Sequence, residues 1–157
     1  MNGEPFVPVR GKGERFRRYA PLVFWMGLIF FASTGELSAS NTSMIVRPLL
    51  LWLFPDIGEA RLALVHLLVR KAAHFTEYAV LALLAARAFM GSSQELLRRR
   101  WFFVSLLLVI VYALSDEFHQ SFVPSRTASV YDSLIDMIGG LTALGLFALW
   151  SRRKKQF

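Results

Sequence analysis

Four long apolar runs and one short one, separated by polar segments, set the pattern of this chain. Residues 19–35 carry no charge. At helical rise they reach about 25 Å, enough to cross a bilayer when flanking groups snorkel. Residues 44–54 are apolar but too few to span. Arg47-Pro48 lies inside them and Pro55 behind them, which predicts an interfacial or re-entrant helix with Trp52 and Phe54 at the headgroup boundary. Residues 62–90 are helical in composition and interrupted by Arg70-Lys71, so the pattern predicts a second span over about 70–89 approached by a surface helix over 62–69. Residues 91–100 read as a polar loop. Residues 101–115 are again uncharged, and the helix they start can continue through Phe122 until Pro124 closes it. A fourth helix, capped by Ser129 or Asp132, runs to Trp150, and Gly139, Gly140 and Gly145 let a neighbouring helix come close.

These elements predict an all-α, polytopic membrane protein: a four-transmembrane-helix bundle with a short interfacial helix after the first span. The expected organisation is a basic leader over 1–18, a transmembrane domain over 19–150 and a basic tail over 151–157. Composition agrees, since 55% of the residues are hydrophobic and the mean hydropathy is +0.44. A net charge of +7 raises nucleic acid as a partner, but the basic residues fall in short clusters between apolar runs, where anionic lipid headgroups would meet them. Membrane lipids, and no nucleic acid, are the expected partners. The lack of cysteine excludes disulfides, thiolate metal sites and a cysteine nucleophile. Thirteen of the eighteen basic residues fall on the side of the termini, and the positive-inside rule then places both termini in the cytoplasm. A competing reading takes the first run as a cleaved signal peptide with a loose site at Ser38-Ala39-Ser40; the long leader and the later spans argue against it.

Ionisable residues gather near the outer ends of three spans. Lys71, His74 and Tyr78 share a helical stripe with Glu77 beside it; Asp116, His119 and Gln120 share another with Glu117 beside it; Asp132 and Asp136 stand one turn apart. Arg126 lies in the connecting loop, where its guanidinium is expected to reach Glu117 or Asp132. An ionisable group in hydrocarbon costs about 2.5–3.5 kcal/mol on insertion scales, so these groups must face each other, a cation or water. One outcome is purely structural, with Arg70, Lys71 and Arg126 neutralising the carboxylates. Another is a functional site. Lys71, His74, Tyr78, Glu117, Gln120, Arg126, Asp132 and Asp136 are the candidate binding residues, and Glu77, Asp116 and His119 the candidate catalytic ones. His74, Glu77, Asp116 and His119 are also candidate ligands for a divalent cation, at a spacing that is generic for helices; the cofactor question stays open. His66 and the aromatics Phe24, Trp25, Phe30, Phe31, Phe102 and Phe103 read as interfacial or lipid contacts. No phosphate loop, nucleophile elbow or zinc-protease pattern is present.

Three segments carry a resemblance: Lys71-Ala-Ala-His74-Phe75-Thr-Glu77-Tyr78, Ser115-Asp116-Glu117-Phe-His119-Gln120-Ser-Phe122-Val-Pro124-Ser-Arg126, and Asp132-Ser-Leu-Ile-Asp136-Met-Ile-Gly139-Gly140. Together with Phe31-Ala-Ser33 they resemble the VanZ-like family of integral membrane proteins, in the right order over roughly residues 19–150. Family patterns often carry glycine where this chain has Ser125, and asparagine where it has Asp136. The resemblance implies a multi-span protein of the bacterial cytoplasmic membrane with an envelope-related role, in a family whose eponymous member is associated with resistance to the glycopeptide teicoplanin.

Two functions follow. In the first, an extracytoplasmic polar pocket binds or modulates an envelope lipid, a lipid-linked precursor or a glycopeptide-type ligand, with Lys71 and Arg126 holding phosphate. In the second, the pocket is a membrane-embedded hydrolase or transferase site, in which His119 or Glu77 is the base or acid, Asp116 or Asp132 orients it and Arg126 stabilises developing charge. Accessibility labelling is expected to find both termini on the cytoplasmic side and Asn41, Thr42 and Ser125 outside; an externally labelled C-terminus in folded protein would reverse the orientation.

Overall fold

A computed structural model describes residues 12–34, 39–123 and 130–154. Among these residues it contains six α-helices and no strand: α1 (Lys12–Ser33), α2 (Ala39–Leu53), α3 (Glu59–Met90), α4 (Glu95–Arg99), α5 (Trp101–Gln120) and α6 (Val130–Arg153). The charges at the helix ends suit the helix dipole. Glu59 opens α3 and Arg87 closes it, and Asp132 opens α6 while Arg152 and Arg153 close it.

Several boundaries differ from the sequence pattern. α1 begins at Lys12, inside the stretch read as a leader, because its charged first turns are compatible with helix; the uncharged run marks apolar surface, not helix length. α3 is one unbroken helix of 32 residues in place of a surface approach and a separate span. Arg70 and Lys71 are good helix formers, so a charge pair in mid-run does not interrupt the backbone. At about 48 Å, α3 is longer than a bilayer core of about 30 Å. Within the loop expected over 91–100, α4 forms around an i,i+4 pair in which Arg99 lies 2.7 Å from Glu95. Arg47 makes a 2.7 Å pair with Glu59 and ties α2 to the start of α3. Both partners are exposed, so the pair contributes about 1 kcal/mol or less.

α3 is the hub. It packs most extensively on α6, then on α5, and also meets α1, α2 and α4. Cross-helix contacts fix the directions. Tyr19 reaches Ser92 and Trp25 reaches Glu77, so α1 and α3 are antiparallel. Lys71 meets Asp132 and His74 meets Asp136, so α3 and α6 run the same way. Tyr112 reaches Met26 and Gln120 reaches Ser33, so α5 runs with α1. The start of α1, the ends of α3 and α6 and the start of α5 therefore share one end, the basic one. The opposite end holds Asp116, Asp132 and Asp136.

α3 turns an alanine-rich face inward: Leu81, Ala82, Ala85, Ala86 and Ala88 are buried with Val109, Ala113 and Leu144. The outer surface is apolar as well. Phe24, Phe103, Leu107, Val111 and Leu146 are all more than half exposed. Two helical stretches, Trp101–Gln120 and Tyr131–Arg153, are long and apolar enough to cross a membrane. Only 22% and 28% of their most apolar windows are buried, unlike the core helices of a soluble protein. α1 and α3 do not meet that standard, since α1 opens on basic residues and α3 carries Arg70, Lys71 and Glu77. Among the described residues two of the four expected spans thus meet the measure of length and apolarity, with two charge-bearing helices packed beside them.

The small residues of α6 set its approach. A Cβ on Gly139 would collide with the backbone carbonyl of Phe75, and one on Gly140 would come within 2.7 Å of Val109 Cγ1, whereas Gly145 has open space. In detergent, Gly139→Ala is expected to lower stability by about 1–3 kcal/mol, because the backbone of α3 cannot yield as a side chain can. Gly145→Ala is expected to be neutral or to stabilise by up to about 1 kcal/mol. Thermal unfolding of the two variants side by side checks the pair, and equal effects would contradict the packing.

Candidate functional site

At the acidic end of the bundle four helices each contribute polar side chains to one buried group. Helical spacing sets the stripes: one turn separates Asp116 from Gln120 on α5, and one turn separates Asp132 from Asp136 on α6. α1 brings Ser33, and α3 brings Lys71, His74 and Tyr78. Asp116, Gln120, Ser133, Asp136 and Tyr78 are all buried; Asp136 is 1% exposed.

Gln120 is the connector. Its Nε2 donates to Asp116 Oδ2 at 3.0 Å and to Ser33 Oγ at 3.3 Å, so one amide links α5 to the end of α1. Lys71 Nζ donates to Asp132 Oδ1 at 2.9 Å and links α3 to α6 at a partly exposed position. Deeper on the same two helices, His74 Nδ1 lies 3.4 Å from Asp136 Oδ1. That separation is an ion-pair contact when the imidazole is protonated, and it is too long and poorly aligned for a hydrogen bond. Asp116 and Asp136 both lie within electrostatic reach of the Tyr78 hydroxyl. Among the described residues the hydroxyls of Tyr78 and Ser133, His74 Nδ1 and Asp136 Oδ1 are buried without a hydrogen-bond partner. A buried polar group in that condition costs about 1–3 kcal/mol, so the cluster holds unused donor and acceptor capacity.

The other candidates lie around this group or apart from it. Glu77 is half-buried on α3, near His74, and its backbone carbonyl accepts the Trp25 indole N–H at 2.9 Å. Glu117 is half-buried beside Asp116 in sequence. Among the described residues His119 pairs with no carboxylate; its ring packs on Phe30 at a centroid distance of 4.7 Å. The histidine that meets an acid is His74. Arg126, with Ser125 and Ser129, lies outside the described residues, and the cation found on Asp132 is Lys71. His74, Glu77, Asp116 and His119 do not assemble as a ligand set: among the described residues no group of three or more such side chains could hold a metal ion.

Some participants were not read from the sequence. Trp25, taken as a lipid contact, is partly buried and bonded to α3, because an indole has an N–H to satisfy. Tyr112 does the same from α5, donating to the Met26 carbonyl at 2.5 Å. Ser133 is the residue after Asp132 and one turn before Met137; a lone serine in an apolar helix gives no signal of which neighbour it faces.

Gln120→Ala removes both bonds of the connector and strands Asp116. It is expected to destabilise by about 1–3 kcal/mol in detergent unfolding, and Ser33→Ala by less, since its bond is long and hydroxyl-specific. A Ser33→Ala loss equal to that of Gln120→Ala would move the weight of the link onto α1.

Neither a curated protein nor a solved structure matches the chain. The family model described as VanZ/LLP1 matches residues 19–151, a stretch that contains α2 to α5 whole and all the polar groups described above. That match covers most of the chain, and together with the two apolar, outward-facing helices it fits a membrane protein: the chain belongs to the VanZ/LLP1 family.

Proposed function

We propose that the buried polar cluster is a binding site for the headgroup of an envelope lipid or lipid-linked precursor, on the extracytoplasmic side of a bacterial cytoplasmic membrane. In this reading α1, α3, α5 and α6 all cross the membrane, α2 lies at its outer boundary and the basic end faces the cytoplasm. The observation that carries it is the set of unsatisfied buried groups at the meeting of α3, α5 and α6: the Tyr78 and Ser133 hydroxyls, His74 Nδ1 and Asp136 Oδ1. Such groups in an apolar shell are a functional site by default. Hydroxyl and amide groups of a sugar or peptide headgroup would complete them, and Lys71 at the partly exposed rim offers a cation for phosphate. Sequestering such a headgroup would alter how a glycopeptide engages the cell surface, which is the link to teicoplanin-type resistance.

A second reading, hydrolase or transferase chemistry on the same ligand, is favoured by one feature. His74 and Asp136 stand 3.4 Å apart, an imidazole beside a carboxylate; if a bound ligand closed that gap, the carboxylate would fix the proton on Nδ1 and leave Nε2 as acceptor. The catalytic pair in that case is His74 and Asp136, with Glu77 and Asp116 in support.

The test is the full chain in nanodiscs with a labelled polyprenyl-pyrophosphate-linked peptidoglycan precursor. Saturable binding is expected, weakened about tenfold or more in Asp136→Asn and His74→Gln in protein that remains folded and monodisperse, since a lost charge-assisted hydrogen bond is worth about 1.5–3 kcal/mol. Binding that persists equally in both variants would refute the site. Conversion of the precursor by wild type but not by His74→Gln would establish the enzyme reading.

A further inference from the structure

The opposite end of the bundle carries a second built feature that the polar cluster does not explain. α1 starts there and α3 ends there. Between them lies a cavity of about 380 Å³ lined by Glu14, Arg17, Arg18 and Arg87. A neighbouring cavity of about 340 Å³ is walled by Arg15, Tyr19 and the turn Ser92-Ser93-Gln94, and Arg18 lines both. Among the described residues, three arginines and one glutamate thus line the first cavity. Among the described residues none of Arg17, Arg18 and Arg87 forms a salt bridge, with Glu14 or any other acid.

The walls are preformed. The Tyr19 hydroxyl donates to Ser92 Oγ at 3.2 Å, and the backbone N–H of Gln94 donates to the same oxygen at 3.1 Å, which fixes the turn against α1. Gly91 makes room for the shared arginine: a Cβ there would lie 2.9 Å from Arg18 Nε. Planar guanidinium forks around an open groove suit the oxygens of a phosphate. The surroundings favour a lipid-borne phosphate over a soluble one. Phe16, between Arg15 and Arg17, is 74% exposed, and Leu96 of α4 and Met90 at the end of α3 are exposed as well. Aromatic and apolar side chains beside a basic cluster at the end of an apolar bundle belong at a membrane boundary.

We propose that the arginine-lined cavities at the basic end of the bundle form a binding site for the phosphate headgroup of an anionic phospholipid. The site is separate from the polar cluster: Arg87 stands about 20 Å along α3 from His74 at helical rise. It therefore does not depend on what the cluster binds.

The test titrates the detergent-solubilised full chain with dioleoylphosphatidylglycerol, dioleoylphosphatidylcholine or inorganic phosphate, and follows the melting temperature. Phosphatidylglycerol is expected to raise it saturably and phosphatidylcholine to leave it unchanged. The Arg17→Gln, Arg18→Gln, Arg87→Gln triple variant is expected to shift half-saturation by about tenfold or more, as charge-assisted hydrogen bonds are lost. Arg98→Gln with Arg100→Gln removes two nearby charges that line neither cavity, and should shift it by less than about twofold. Gly91→Ala keeps every charge but crowds Arg18, and should weaken binding several-fold. If the triple variant does not fold, Arg87→Gln alone, at an exposed position, carries the comparison. Equal losses in the cavity variants and the Arg98, Arg100 control would mean diffuse attraction and overturn the site. The same rise with inorganic phosphate would assign the cavities to a soluble anion and overturn the lipid.

Discussion

A carboxyl, a carboxamide or a phenol that faces hydrocarbon finds no partner there, so in an apolar surround such groups are tolerable only where they meet one another. The bundle is organised around that constraint. Its outer surface is phenylalanine, leucine and valine, and Asp116, Gln120, Asp136, Tyr78 and Ser33 are turned inward from four helices. Each helix is placed by a partner on another: Gln120 by Ser33, Lys71 by Asp132, His74 by Asp136. Even the aromatic side chains obey it. Trp25 and Tyr112 spend their single donors on main-chain carbonyls of neighbouring helices. In helices that are apolar nearly all round, such directional bonds fix the rotation about each axis, which apolar packing alone leaves loose.

Close approach makes the polar contacts reachable. The alanines of α3 and the Gly139-Gly140 pair of α6 remove the side chains that would hold the backbones apart. Gly139 lies three residues beyond Asp136 and touches Phe75, the residue after His74, so the tightest backbone contact is adjacent to the His74–Asp136 contact. Small residues and acids are therefore parts of one device. With the helices further apart, a 3.4 Å separation between an imidazole and a carboxylate would become two unpaired buried groups.

What the sequence makes legible follows from the same physics. Charges inside apolar runs are conspicuous, so Lys71, His74, Asp116, Gln120, Asp132 and Asp136 stand out, and their three- and four-residue spacing places them on stripes. The helix class and the short helix after the first run are equally plain. Rotation is harder to read, because an apolar helix has no polar face to contrast with. That is why His119, four residues before Val123 and three after Asp116, reads as a partner of the acid although its ring lies on Phe30. Helix length is also hidden. Hydropathy reports surface character, so the charged first turns of α1 and the Arg70-Lys71 step in α3 look like boundaries where the backbone continues unbroken. Trp25 looks like a lipid contact because tryptophan is mostly apolar ring, and a sequence does not show which carbonyl its one N–H will meet.

The asymmetry between the two ends bears on what such a bundle can do. The buried carboxylates and the His74 contact occupy one end; Arg17, Arg18 and Arg87, which form no salt bridge among the described residues, occupy the other. α3 joins them and extends beyond the acidic end, where the Arg47–Glu59 pair holds α2 to its first turn. In the proposed membrane reading the basic end is held by lipid phosphate, so the depth of the bundle is set from that side. The acidic cluster then sits where α3 leaves the hydrocarbon, with Asp136 sealed inside and Lys71 and Asp132 at the partly exposed rim. A ligand reaching it must present polar atoms to the interior groups and an anionic portion to the rim while its apolar part stays in the bilayer. Soluble anions lack the last property and simple hydrocarbons lack the first two. An amphiphile with a large polar headgroup has all three, so in that proposed reading the cluster's position, and not only its composition, favours a lipid-linked ligand.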